Sequence, residues 1–263
     1  MAEIEWRKLR ADQLRDLAKQ DAIVILPVGS IEQHGPHLPV EVDSMLGEQV
    51  ALRTARVASA RGTPVAVLPM LWTGVSEHHM SFGGTITLDL AAYTALAEGI
   101  CRSLLRHGFR RLVLLNGHGG NENALRCLTD ELTPRLRSPI VSFTYWYAAA
   151  EPIAAILETQ KALLHACEAE TSMMMAVRPE LVAEDRIPMA KANRTPDVQD
   201  IVGGGVYRWR TTGSMSSSGV IGNPEAATAD KGRRLFDAIA ETLANKLGNA
   251  DFWQLPWDSE RLD

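Results

Sequence analysis

Long apolar runs are missing from this chain. No stretch approaches the roughly 20 residues that cross a bilayer, and residues 1–10 are polar and charged where a secretion leader would be apolar. The expectation is a cytoplasmic protein with no membrane partner. Cysteine is scarce too: Cys101, Cys127 and Cys167 are odd in number, widely spaced and without a C-x-x-C pair. That excludes a disulfide framework and a thiolate zinc site, and it suits a reducing compartment. Cys101 and Cys127 fall in helical patterns and read as small core residues. Positive charge is not in excess, since the formal net charge is −5, so the basic footprint of a nucleic-acid binder is lacking. Arg102, Arg106, Arg110 and Arg111 are scattered as on solvated helix faces.

What is present is ordinary globular material, 46% hydrophobic and 22% charged over 263 residues. A chain of that length buries about three quarters of its unfolded surface, which allows one α/β domain over residues 1–263. Residues 22–28 (AIVILPV) form a short apolar run, as in a strand buried on both faces. Further strands are predicted over 64–70, 111–115 and 140–145, with a short extended piece at 85–88. Helical periodicity marks 44–61, 89–107, 122–136, 153–164, 169–177 and 226–247. Asp89 is a plausible N-cap and Gly108 a plausible C-terminal stop. Residues 179–222 are rich in Gly, Ser, Thr and Pro and read as loop. Alternating strands and helices predict a mainly parallel sheet with helices on both faces, three layers in all. In such sheets ligands bind beyond the carboxyl ends of the strands.

The segments that follow the predicted strands are where polar side chains gather. After the first comes G-S-I-E-Q-H-G-P-H-L-P, in which Glu32 and His34 are two apart and share a side of an extended segment. Asp43 follows, either as a helix cap or, beside E-x-H, as a metal ligand. After the third strand comes N-G-H-G-G-N, with His118 at the loop centre. The rival reading of Gly117–Gly120 is an anion- or nucleotide-binding loop, but the spacing of G-x-G-x-x-G and the lysine of a P-loop are lacking. After the second strand, Ser76 and His78 stand as pocket-lining contacts to substrate; His79 must point the other way. In H-A-C-E-A-E-T-S, a continuous helix puts His165 beside Glu168, whereas a break near Cys167 lets His165 meet Glu170. Glu168 reads as a solvated helix face. Glu32, His34, Asp43 and His118 form a nitrogen- and oxygen-donor set that suits zinc, manganese or iron, and ligand type does not choose among them. So many carboxylates beside two histidines suit two divalent ions rather than one.

The stretches PVGSIEQHGPHLPVEVD, GVSEHHMSFGGTITL, LLNGHGGNENA and HACEAETSMMM, in this order, resemble the creatininase (creatinine amidohydrolase) family. The resemblance implies a three-layer α/β fold, a dinuclear metal site, frequent hexamers and hydrolysis of a C–N amide or cyclic amide bond in a small molecule. A metal-bridging hydroxide would be the nucleophile. By the same resemblance Glu32, His34, Asp43 and His118 are metal ligands, with Asp43 as the bridge, and His165 is the catalytic acid. Creatininases proper carry an acidic ligand where this chain has Gly120. Glu170 is the first candidate to replace it, as ligand or as the residue that orients His165, and Glu122 is the second. Trp72 and Trp146 are candidate substrate-packing residues, with core packing as the equal alternative. A non-catalytic relative acting as a binding protein is the remaining alternative.

Overall fold

A computed structural model of the chain describes residues 2–190 and 208–255. Helix α1 (Ala11–Lys19) leads into strand β1 (Ile23–Val28), every residue of which is buried. Burial on both faces is worth about 1.5–3 kcal/mol for each large aliphatic side chain, so an unbroken Ile/Val/Leu run gains most at the centre of a sheet. Helix α2 (Val42–Ala60), strand β2 (Val65–Val67), helix α3 (Leu90–Arg106), strand β3 (Arg111–Asn116), helix α4 (Glu122–Leu136) and strand β4 (Ile140–Thr144) follow in alternation. The sheet order is β2-β1-β3-β4 and every pairing is parallel, with Ile23 between Val65 and Arg111 and with Leu112 opposite Ile140. Two short helices, α5 (Tyr145–Ala148) and α6 (Ala150–Ile156), precede α7 (Glu168–Val177) and a closing helix, Ala229–Leu247.

Alternate strand residues feed opposite faces. Ile23, Ile25, Val113 and Leu115 pack into a core built with α2, α7 and the closing helix. Val24, Leu26, Leu112 and Leu114 pack into a second core with α3 and α4. The predicted three-layer α/β architecture is therefore the one observed. Asp89 caps α3, its carboxylate accepting the Ala92 N–H at 2.7 Å, and Gly108 takes φ +94° beyond the helix end. Among the described residues no helix is long and apolar enough to cross a membrane.

Several expectations need correction. Helix α1 falls in a stretch for which the sequence reading gave no element. The predicted second strand shrinks to Val65–Val67. The helix expected over 153–164 stops at Ile156, because the buried Glu168 carboxylate captures the backbone N–H groups of Glu158 and Thr159. Cys127 is exposed rather than a core residue, whereas Cys101 is buried. Much of the predicted 179–222 loop has local structure, with 3-10 turns at Pro179–Leu181 and Glu184–Met189 and a helical turn at Thr212–Met215; its stretch 191–207 lies outside the described residues.

One consequence of the strand order positions everything below. The chain leaves β1 to form β2 on one side and then returns to form β3 on the other. A crevice opens at such a switch point, beyond the carboxyl ends of β1 and β3.

Candidate metal centre

The loop after β1 is closed by the Glu32 N–H on the Val40 carbonyl at 2.9 Å, which folds it over the sheet end. Glu32 and His34 are both 1% exposed. Asp43 sits inside the first turn of α2 but makes no cap there; its carboxylate turns back to the loop instead. Its Oδ1 lies 3.2 Å from His34 Nε2 and its Oδ2 lies 2.8 Å from His118 Nδ1. His118 Nδ1 is also 3.1 Å from Glu32 Oε2. Glu170, in the first turn of α7, places Oε1 3.9 Å from His34 Nε2. Two donor groups result, one of His34, Asp43 and Glu170 and one of Glu32, His78 and His118, with Asp43 reaching both imidazoles. Glu122 is elsewhere, paired with Arg126 at 2.5 Å on α4.

The electrostatics are those of a place that asks for positive charge. Glu32, Asp43 and Glu170 are all buried. Burial lifts the Glu32 and Glu170 carboxyls above their ordinary range, with neighbouring imidazoles only partly offsetting it. Burial also opposes charge on His118, yet the Glu32 and Asp43 carboxylates outweigh it and push that imidazole up to about 10. Asp43 and Glu170 do the same for His34, which is held well above its usual value. His34 Nδ1–H donates to the Glu32 carbonyl at 3.1 Å, so Nε2 is the atom that faces the Asp43 and Glu170 oxygens and must carry a proton or meet a cation to be compatible with them. Neither that nitrogen nor Glu32 Oε2 has a hydrogen-bond partner. Buried polar atoms left in this way are costly, and protons or divalent cations are what would satisfy them. The nitrogen and oxygen donors fit zinc, manganese or iron.

His165 approaches from the other side. Its N–H and carbonyl pair with Ile221, and the chain then turns through Ala166 at φ +52°, so α7 starts only at Glu168. This break lets Glu170 reach back to the turn, its Oε2 accepting the Ala166 N–H at 2.5 Å. Glu168 is fully buried, in contrast to the solvated helix face expected, and its carboxylate meets Lys231 Nζ at 2.8 Å and the Thr159 hydroxyl at 2.6 Å.

Two residues carry more than the sequence reading gave them. Gln33 lies between Glu32 and His34 and therefore points the opposite way. Its Oε1 accepts from the Gly35 N–H at 2.9 Å, which leaves the amide nitrogen to face His79 Nδ1 at 2.8 Å and the Gly219 carbonyl at 3.0 Å. With both amide protons used, His165 Nε2–H donates to the Gln33 carbonyl at 2.8 Å. His165 Nδ1 is then the free atom, 3.5 Å from Glu32 Oε1. His79 is buried and presents Nε2–H to Glu32 Oε1 at 3.3 Å. The strict alternation of an extended E-Q-H was the available signal for Gln33.

The expected substrate contacts separate. Ser76 is fully buried and bonds both Ser30 and His118 Nε2, the latter at 3.0 Å, so it orients His118. Trp146 belongs to the core beside Tyr145, whereas Trp72 is 47% exposed. His78 stacks over His118 with ring centres 5.6 Å apart. The Gly117–Gly120 loop is poorly suited to an anion: the N–H groups of Gly117, His118 and Asn121 are spent on Val28, Asn116 and His118 oxygens, and carboxylates lie alongside.

An open parallel sheet with a buried carboxylate–imidazole cluster at its switch point is an α/β fold with residues that could hold a metal ion. The family model for creatininase, described as creatinine amidohydrolase, matches residues 7–247, and the chain belongs to the creatininase family. It is an amidohydrolase acting on C–N bonds other than ordinary protein peptide bonds. The mycofactocin precursor peptide peptidase of Mycobacterium ulcerans is 31% identical over 229 residues, 85% of this chain and 84% of that protein. The creatinine amidohydrolase of Pseudomonas putida is 29% identical over 263 residues, 94% of this chain and 95% of its own. The crystal structure of a creatininase superposes with a TM-score of 0.78 at 26% identity, covering 94% of this chain and 98% of that one. Solved creatininases similar to this chain include a manganese form and a zinc–zinc form of a mutant.

Proposed function

We propose that this chain hydrolyses a small-molecule amide or cyclic amide with the help of two divalent metal ions per subunit. The observation that carries the reading is the buried set of carboxylates whose facing imidazole, His34, aims an unpartnered Nε2 at them. Glu32, His34, Asp43, His118 and Glu170 would hold the ions, with Asp43 reaching both sides. A bound divalent ion supplies a nucleophile at neutral pH by lowering the pKa of water from about 15.7 to about 7, and it polarises a carbonyl.

The protein's own groups do the rest. His118 Nε2–H is held by Ser76 and by the Val75 carbonyl, at 3.0 and 3.1 Å, which leaves Nδ1 facing the centre. Such outer hydrogen bonds fix ring orientation and ligand basicity. Burial and the nearby His34 hold His165 well below its usual pKa, so it is neutral at pH 7. Its Nδ1 accepts a proton from the attacking water and passes it to the departing nitrogen, a general base and then a general acid. Glu170 ties the His165 turn to the donor cluster through Ala166.

Zinc is the first expectation for the metal, with manganese or iron next. A single domain, a homo-oligomer of hexameric size and a cytoplasmic setting complete the proposal; the family match over residues 7–247 and the three free cysteines support it. Elemental analysis tests the centre directly. Two ions per chain in the wild type and fewer in His118→Ala, with both proteins folded, is the expected result; a full complement in that variant refutes the assignment.

A further inference from the structure

At Gly120, two residues after His118, the surroundings leave no room for a side chain. A Cβ at Gly120 would collide first with the Val75 carbonyl oxygen and would lie 2.5 Å from His118 Nε2 and 2.9 Å from His78 Cε1. The His78 imidazole is thus one of three groups packed against this glycine. That ring lies nearly parallel to His118, tilted by 20°, and one of its nitrogens lies within 4.8 Å of both a Glu32 oxygen and a His118 nitrogen.

The other imidazoles around the centre are committed to protein partners. His34 Nδ1 donates to Glu32, His118 Nε2 meets Ser76, His165 Nε2 meets Gln33, and His79 bridges Gln33 and Glu32. No hydrogen bond engages either ring nitrogen of His78 among the described residues.

We propose that His78 is a metal ligand, completing with Glu32, His118 and the shared Asp43 a nitrogen-rich position beside Gly120. This rests on the metal reading above and deepens it, because the two positions then differ in kind. The one at His34, Asp43 and Glu170 is carboxylate-rich and suits harder ions. The one at Glu32, His78 and His118 has two imidazoles and favours ions later in the divalent series, such as zinc over manganese.

The test uses the full chain loaded with zinc. Ions per chain are measured by elemental analysis during titration with a competing chelator, and X-ray absorption counts imidazoles around the metal. His78→Phe keeps the ring volume and removes the donor; His78→Ala serves if the bulkier ring prevents folding, and circular dichroism checks the fold of each. The expected result is that one ion per chain is lost at least about tenfold more readily, the lower end of what removing even an outer-shell partner costs, with fewer imidazoles per zinc. Wild-type retention of both ions with unchanged imidazole scattering in both variants overturns the proposal. His118→Ala separates the two failures: if it loses metal and the His78 variants do not, only the His78 assignment falls. If no variant alters metal content, the metal centre itself is misplaced.

Discussion

Two regions of this protein bury charge, and they do so in opposite ways. At the head of α7 the Glu168 carboxylate, fully buried, accepts from the N–H groups of Glu158 and Thr159, the Thr159 hydroxyl and Lys231 Nζ, while Lys231 also donates to the Ala226 carbonyl at 2.6 Å. Every demand is met by the protein itself. Beyond β1 and β3, buried Glu32, Asp43 and Glu170 face imidazoles that must gain protons to balance them, and Glu32 Oε2 and His34 Nε2 have no hydrogen-bond partner. A buried ion whose neighbours satisfy it holds a fold together. A buried cluster left unsatisfied marks a position built to receive something else.

The largest test of that contrast is metal removal. Chelation should abolish hydrolysis and divalent ion should restore it, as read by turnover of a panel of small amides. Saturating metal at about 100 times its dissociation constant should add about 2.7 kcal/mol for each ion bound, or roughly 5–10 °C in melting temperature per ion by calorimetry. A stripped protein with full activity would end the comparison. Next in size is His165→Ala, expected to lower kcat by about 10²–10⁴-fold with metal content unchanged by elemental analysis. An unaltered rate would show that the Nδ1 atom near Glu32 moves no proton.

The satisfied region should respond in stability instead. Glu168→Gln should cost about 3 kcal/mol at pH 7, as breaking one side of a buried pair does, and leave metal per folded chain unchanged. Burial opposes charge on Glu168, but Lys231 and the Thr159 hydroxyl outweigh it and hold its pKa below the ordinary glutamate range. Its stabilisation is therefore fully present above about pH 4.5 and is lost as pH falls through the depressed folded value. The melting-temperature gap between wild type and variant should narrow in acid; a gap that widens there would reverse the assignment. Smallest of all is Asp89→Ala at the α3 cap, worth about 1 kcal/mol in denaturant unfolding, with activity intact. A lost activity there would mean that α3 communicates with the centre after all.

The parts of this picture that sequence made legible share a physical cause. Strands β1 and β3 show as apolar runs because both of their faces are covered, and Glu32, His34 and His118 stand out because they directly follow those runs. The α3 boundaries show because a cap and a stop glycine are local chemistry. What was hidden depended on distant partners. The end of α6 is set by Glu168, which lies beyond it in sequence, and the turn at Ala166 puts a non-glycine residue at positive φ where no local signal announces it. For the same reason Glu168 read as a surface residue, and Trp146 could not be divided between core packing and a substrate contact.

Gly219 has a reach out of proportion to its size. It stands at φ +81°, and a methyl group there would collide with the side-chain amide of Gln33. Displacing that amide would free His79 to turn over, so that a bare nitrogen rather than an N–H met Glu32. Whether one carboxylate next to the sheet is steadied or repelled thus depends on a residue 186 positions beyond Gln33 in the chain, and drift in that late loop is constrained by tautomerism as much as by shape.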